Sequence, residues 1–351
     1  MKAAVVCGNE DVRYMDYEEP KVQKGGVKIR VRVSGICGSD IPRVLKNGAH
    51  FYPIVLGHEF SGDVIETGEG VTRVKPGDRV SGIPLLPCMR CEDCQKGNYA
   101  LCRSYSFIGS RQQGSNAEYI VVPERNVVAF DPSISYECGA MFEPATVALH
   151  GIRQNRYEGG RNVAVLGAGT IGIFTMQWAK AFGAAHITVF DISRERLELA
   201  KALGADSVID TKNEGFLQEA GEKTGGRGYD YVFETAGQTS TMYTAFELAA
   251  PKARLCFIGT PHENLVFTPV LWEKMNRKEF YLTGSWMSYS APFPGEEWEL
   301  TAKFFANKKL RFDEKFIYKK LPLSRAVEAF ALFKTPGLVR GKVLLINEQV
   351  S

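Results

Sequence analysis

The chain reads as α/β in two domains, a β-rich first half followed by strands and helices alternating around a doubly wound parallel sheet. Three observations predict this. Short β-rich runs divided by turn residues fill the chain up to about residue 150. Strand and helix patterns alternate beyond it, and the turn Gly167-Ala168-Gly169-Thr170-Ile171-Gly172 joins the first of those strands to a helix. At 351 residues, 44% of them hydrophobic, the chain is too long for one ordinary core and has apolar material for two. The expected borders set a first domain at 1–148, a second at 149–285 and a C-terminal return at 286–351.

Taken in order, MKAAVVCGNE predicts an opening strand rather than a signal peptide. VKIRVRVSGICG, FSGDVIETG and NAEYIVVPE predict further strands, with a turn at Lys75-Pro76-Gly77-Asp78. NVAVL then leads through the glycine-rich turn into a helix that includes Trp178 and Ala179, and HITVFD returns as a strand. Ser193 is the expected N-cap of a helix reaching Leu203. Strands are expected over 207–210, 229–234, 254–259 and 281–285, while the last sixty or so residues look less regular.

Forty-three basic residues against 40 acidic leave a net charge of +3 without long like-charge runs, so no nucleic-acid or polyanion surface is expected. A small anionic substrate remains compatible. No apolar run approaches the roughly 18 residues of a membrane span. With no secretory signal, the eight cysteines are expected to be reduced in the cytoplasm.

Cys88, Cys91, Cys94 and Cys102 follow a C-x2-C-x2-C-x7-C spacing. Two-residue gaps turn successive thiolates onto one ion at about 2.3 Å, and four sulfurs leave no open position, so a zinc held here is expected to be structural. Scattered or disulfide-paired cysteines are the alternative. In the glycine-rich turn, Gly167 permits the tight bend, Gly169 lets the backbone approach a pyrophosphate, and Gly172 lets helix meet sheet, with the amides of Thr170 and Ile171 opening the helix. Asp191 closes the next strand, where a carboxylate accepts from both adenosine ribose hydroxyls and repels a 2′-phosphate, favouring NAD over NADP. Arg194 and Arg196 just beyond could soften that preference or be solvated helix charges. A glycine-rich turn of an unrelated α/β fold is the plain alternative.

A third constellation comprises Cys37, Ser39 and Asp40 in GICGSD, His58 and Glu59 in GHE, and Glu143 in FEP. Cys, His and a carboxylate would make a three-ligand zinc site with one position open for chemistry. A lone Cys beside glycine is usually a small buried hydrophobe, and His150, His186 and His262 are taken as structural.

With these motifs in this order, the chain resembles the zinc-dependent medium-chain dehydrogenases over essentially its full length. The resemblance implies a GroES-like catalytic domain completed by the C-terminal return, a Rossmann domain inserted within it, and an active site in the cleft. It implies two zinc ions per subunit, NAD, and a homodimer or homotetramer. Cys37 and His58 would be zinc ligands, Ser39 would relay the substrate's hydroxyl proton, and Asp40 would orient a ligand. Glu143, standing where alcohol dehydrogenases carry a third cysteine ligand, resembles the polyol branch. Both Glu59 and Glu143 are metal candidates, with Glu143 preferred.

Within that branch, KNGAHFYPIVLGHEFSG, PLLPC, FIGSRQQG and GSWMSYSAPFPGEEWE are most similar to enzymes that oxidise galactitol 1-phosphate. Sorbitol dehydrogenases typically follow the Gly-Ser of the last stretch with an aromatic and then an arginine, whereas here Trp286 precedes Met287. The resemblance implies a polyol phosphate oxidised at C5 to tagatose 6-phosphate. Lys46, His50 and Arg111 are the phosphate candidates and Trp286 a further substrate candidate. Alternatives are dehydrogenases of unphosphorylated polyols, threonine or butanediol, a zinc-free reductase of quinones or enones, and a non-catalytic NAD-binding protein.

Overall fold

In the computed structural model, which describes residues 1–347, the chain divides into two units. Residues 1–143, 289–308 and 312 onward form the first; 144–288 and 309–311 form the second. The divisions at 143/144 and 288/289 differ by a few residues from the expected 148 and 285, and the excursion at 309–311 has no counterpart in the expectation. Its cause is local. The Arg311 N–H donates to Gln177 Oε1 at 2.7 Å, Gln177 Nε2 donates to the Arg311 carbonyl at 3.1 Å, and the Arg311 guanidinium donates to the Ala202 carbonyl at 3.0 Å.

The first unit begins with β1 (Lys2–Gly8), β2 (Asp11–Asp16), β3 (Gly26–Gly35), α1 (Asp40–Leu45), β4 (Ile54–Val55), β5 (Glu59–Thr67) and β6 (Arg79–Gly82). It continues through β7 (Leu85–Leu86), α2 (Glu92–Gln95), β8 (Ser106–Phe107), β9 (Tyr119–Pro123), β10 (Val127–Ala129) and α3 (Tyr136–Ala140). In β3, Val27, Ile29, Val31 and Val33 are buried while Lys28, Arg30 and Arg32 face outward, the two-residue period of a half-buried strand. The turn before β6 closes where the Lys75 amide donates to Asp78 Oδ2 at 2.9 Å and the Asp78 amide to the Lys75 carbonyl at 3.1 Å.

The unit boundary falls inside α4 (Phe142–Gln154). The second unit holds β11 (Asn162–Leu166), α5 (Thr170–Ala181), β12 (His186–Asp191), α6 (Arg194–Ala202), β13 (Ser207–Asp210), α7 (Phe216–Glu222) and β14 (Tyr229–Glu234). It ends with α8 (Thr239–Leu248), β15 (Ala249–Phe257), α9 (Pro269–Lys278) and β16 (Tyr281–Gly284). The six strands pair in parallel in the order β13-β12-β11-β14-β15-β16, so the chain reverses direction across the sheet between β11 and β14. Ser193 caps α6, its side chain accepting from the Arg196 amide. β15 starts five residues before the expected 254 because α8 runs straight into extended backbone at Ala249.

The return supplies α10 (Glu296–Ala306), β17 (Ile317–Pro322), α11 (Ala326–Ala331) and β18 (Lys342–Ile346). β18 lies antiparallel to β3 and parallel to β17, completing a seven-stranded sheet in the order β10-β6-β5-β3-β18-β17, with β9 also on β3. The tail that looked irregular in sequence therefore contributes two strands to the first unit's main sheet.

Candidate active site

Three strand ends meet in the first unit. β3 stops at Gly35, and the Ile36 amide donates to the Val343 carbonyl at 2.9 Å before Cys37 leaves the sheet. β5 starts at Glu59 directly opposite Gly35, with His58 just ahead of it, and β18 starts at Lys342. A Cβ on Gly35 would stand 2.6 Å from Glu59 Oε2, so the glycine makes room for that carboxylate. Gly57 has φ +96°, and a Cβ there would stand 2.4 Å from Asn116 Oδ1 and 2.7 Å from Ser115 Oγ, so only glycine delivers His58 to its place.

The ligand atoms of Cys37, His58 and Glu59 lie within 4.8 Å of one another. His58 is buried, with the Phe107 ring edge-on at 5.4 Å. His58 Nδ1 faces Asp40 Oδ1 at 3.7 Å, and neither atom has a hydrogen-bond partner among the described residues. Asp40 is fully buried, and its Oδ2 accepts from the Cys37 amide at 3.1 Å, so one carboxylate braces the segment bearing Cys37 and faces His58. Burial pushes the Asp40 carboxyl up, opposed by His58 and Arg43.

Lys342 reaches both carboxylate oxygens of Glu59 with Nζ, a buried ion pair that sequence reading missed. The available signal was a lysine heading the apolar run KVLLI. Burial pushes the Cys37 thiol well above its ordinary value, and the charges on Glu59, Asp40 and Glu143 push the same way while Lys342 opposes them. Glu143, in the first turn of α4, is pushed up to about 7 by burial foremost, with Glu59 and Asp40 adding and His58 and Lys342 opposing. A thiol, an imidazole and clustered acids whose joint ionisation burial resists suit a divalent cation, which pays for the thiolate and carboxylate charges together. The geometry departs from one expectation: Glu59, rather than the preferred Glu143, joins Cys37 and His58 in the tight group. Register explains this, since Glu59 is adjacent to His58 and opposite Gly35.

Around this centre stand Ser39 and a cationic group. Ser39 is exposed at the N-cap of α1, and its hydroxyl does not cap the helix. Arg43, one turn on and unremarked in sequence, donates to the Ser39 carbonyl and lies 3.8 Å from Asp40 Oδ1. Arg111 stacks 4.6 Å over the Tyr105 ring, and its amide donates to the carbonyl of Phe107, the residue against His58, at 2.9 Å. His50 is held below its ordinary value by partial burial, then by Arg111 and Arg43, so the three basic groups share one neighbourhood. Lys46, at the C-cap of α1, and Trp286, in the second unit, are both exposed.

Cys88, Cys91, Cys94 and Cys102 also converge within 4.8 Å, and none of the eight cysteines is in a disulfide. Cys91 stands at the N-cap of α2, and the Cys91 amide donates to Cys88 Sγ at 3.4 Å. The backbone N–H groups of Arg90 and Cys91 bring the Cys88 thiol down to about 6, while burial pushes Cys94 up to about 12. Backbone donors aimed at sulfur and four clustered thiols are compatible with a structural zinc.

In the second unit the glycine-rich turn closes as expected. Gly167 has φ +97°, and a Cβ on Gly172 would lie 1.8 Å from the Gly167 carbonyl oxygen. Asp191 is buried; its Oδ2 accepts from the Ala168 amide at 2.7 Å and its Oδ1 from the Ser193 amide at 2.8 Å. Arg194 is solvated and lies 3.4 Å from Glu198, while Arg196 is half-buried. His150 and His186 lie within hydrogen-bond range of Gln154 and Ser207, each at 3.0 Å, whereas His262 is exposed in a loop rather than held in structure.

Residues 23–132 match the profile of the alcohol dehydrogenase GroES-like domain and residues 170–307 that of the zinc-binding dehydrogenases. The chain is 41% identical, over 99% of its length and 100% of the relative's, to galactitol 1-phosphate 5-dehydrogenase of Escherichia coli (strain K12). The chain belongs to the zinc-dependent medium-chain dehydrogenases. It is accordingly an oxidoreductase acting on CH–OH groups. The dehydrogenase also shares 33% identity with D-arabitol-phosphate dehydrogenase of Enterococcus avium, over 92% of this chain and 91% of that one. Its fold matches the crystal structure of galactitol-1-phosphate dehydrogenase from Escherichia coli with a TM-score of 0.91 at 41% identity, covering 99% of this chain and 100% of that one. No helix among the described residues is long and apolar enough to cross a membrane.

Proposed function

We propose that the protein oxidises galactitol 1-phosphate to tagatose 6-phosphate with NAD as acceptor. The observation that carries this reading is the 41% identity to a galactitol 1-phosphate 5-dehydrogenase across 99% of the chain. The cationic Arg43 and Arg111, with the neutral-leaning His50 near them, beside the Cys37–His58–Glu59 centre support a phosphorylated substrate.

Cys37, His58 and Glu59 would hold the catalytic zinc, with Glu143 as an alternative or exchanging carboxylate, and Cys88, Cys91, Cys94 and Cys102 the structural one. When bound, the catalytic zinc supplies a Lewis acid that makes the substrate hydroxyl more acidic, and NAD accepts the hydride. The exposed Ser39 hydroxyl takes the substrate proton and hands it to solvent. Asp40 faces His58 Nδ1, which leaves Nε2 to the metal-binding side. Lys342 offsets the charge on Glu59. Arg43 and Arg111 pair with the substrate phosphate, and Asp191 accepts from the adenosine ribose hydroxyls and disfavours a 2′-phosphate. Reduced thiols at two metal sites suit a cytoplasmic setting. The exposed edge strand β16, with Tyr281 and Leu282 outward, supports assembly as a homodimer or homotetramer.

The test is initial NADH formation with galactitol 1-phosphate, galactitol, sorbitol and threonine in parallel, each with and without a strong chelator. Chelator-sensitive turnover confined to the phosphorylated hexitol is expected. Preference for an unphosphorylated substrate would move the protein to a neighbouring branch of the family.

A further inference from the structure

Glu234 ends β14 at the point where the parallel sheet reverses direction, beside the C-terminal end of β11 and the glycine-rich turn. Ligands of doubly wound sheets bind in the crevice at this switch point. The residue is fully buried, and one carboxylate oxygen does all the bonding. Oε1 accepts from the Ala236 amide at 2.9 Å, the Gly237 amide at 2.9 Å and the Thr241 hydroxyl at 2.7 Å, while Oε2 has no partner among the described residues. A buried carboxylate is costly, and here three donors from residues 236–241 converge on its one bonded oxygen and offset that cost.

What the carboxylate holds is the wall behind the glycine-rich turn. The Thr235 hydroxyl donates to the carbonyls of Leu166 at 2.9 Å and Gly167 at 3.1 Å. A Cβ on Gly172 would come within 2.8 Å of Thr235 Oγ1, and one on Gly167 within 3.0 Å of Ala236 Cβ. On the far side, a Cβ on Gly259 would meet the Gly237 nitrogen at 2.3 Å and Glu234 Oε2 at 2.6 Å. Residues 235–237 are thus wedged between the glycine-rich turn and the end of β15, with Glu234 as their anchor.

We propose that Glu234 is a positioning residue for the dinucleotide: by tying down residues 235–237 it fixes the backbone of the 167–172 turn against which the pyrophosphate docks. This rests on the dinucleotide reading of that turn. The role requires an acceptor oxygen at Oε1 and requires no negative charge, so Glu234→Gln retains it and Glu234→Ala removes it.

The experiment is a fluorescence titration of the zinc-loaded, full-length protein with NADH, alongside its melting midpoint without cofactor and separate KM values for NAD and alcohol. Glu234→Ala is expected to weaken NADH about tenfold and raise the KM for NAD in step, leaving the KM for alcohol unchanged. Glu234→Gln is expected within about threefold of the parent. Gly259→Ala, whose added methyl crowds Gly237, is expected to weaken NADH by a similar factor and decides the matter if Glu234→Ala does not fold. NADH binding by Glu234→Ala within about twofold of the parent, with only a lower melting midpoint, would overturn the inference. So would equal losses in the Gln and Ala variants, or unchanged binding in Gly259→Ala. Failure of the parent protein to bind NADH would instead sink the dinucleotide reading itself, and this inference with it.

Discussion

Cys37 and Asp191 show how far a single residue's chemistry can be read from its surroundings. Cys37 sits among buried acids that oppose its ionisation, so a cation bound at the centre would favour its thiolate. Cys37→Ser is expected to abolish alcohol oxidation and to lower metal content by about one zinc per chain, read by elemental analysis, while leaving the fold intact. Full activity in this variant would remove Cys37 from the metal site. Asp191 was legible in sequence because it closes a strand at a fixed distance beyond a glycine-rich turn. The structure adds that its carboxylate also bonds the turn itself through the Ala168 amide at 2.7 Å. Asp191→Gly is therefore expected to raise the ratio of kcat/KM with NADP to that with NAD and to weaken both cofactors. An unchanged ratio would exclude Asp191 from 2′-phosphate discrimination. Lys342 and Arg43 were not legible, since their relevance lies in what they touch rather than in any spacing.

Among elements, the cysteine lobe was the most legible, because metal-ligand spacing is a local property of sequence. Its four thiols converge around the short helix α2. Cys91→Ser is expected to lower the melting midpoint by several degrees and to release one zinc, with kcat on the surviving folded protein largely retained. Loss of turnover as complete as in Cys37→Ser, at unchanged stability, would reverse the two assignments. The βα alternation of the second unit was equally readable, since its strands and helices carry their own periods and Ser193 announces the start of α6. Element ends were less so: β15 begins at Ala249 because α8 passes directly into it, which no turn residue announces.

On the scale of the whole molecule, the C-terminal return matters most. Lys342 and Glu59 are 283 positions apart and form a buried ion pair at the candidate metal centre. Removing one partner of such a pair strands the other's charge. Lys342→Met is expected to destabilise the metal-free protein by about 3–5 kcal/mol in chemical denaturation. A change below about 1 kcal/mol, the range of exposed pairs, would show that solvent or another cation serves Glu59.

Sequence by itself pointed to the two-part α/β architecture, the cysteine lobe, the dinucleotide turn, and Cys37 and His58 with a carboxylate from Glu59 or Glu143, because each depends on short-range spacing and local propensity. Tertiary structure alone decided which carboxylate stands nearest Cys37 and His58, which cations surround them, and what backs the glycine-rich turn. Those outcomes depend on strand register and on pairing between distant segments: Glu59 opposite Gly35, β18 beside β3, and residues 235–237 wedged against Gly167 and Gly172. Register is fixed only when whole half-buried strands meet with their apolar faces in step, and which strands meet is not given by short-range spacing.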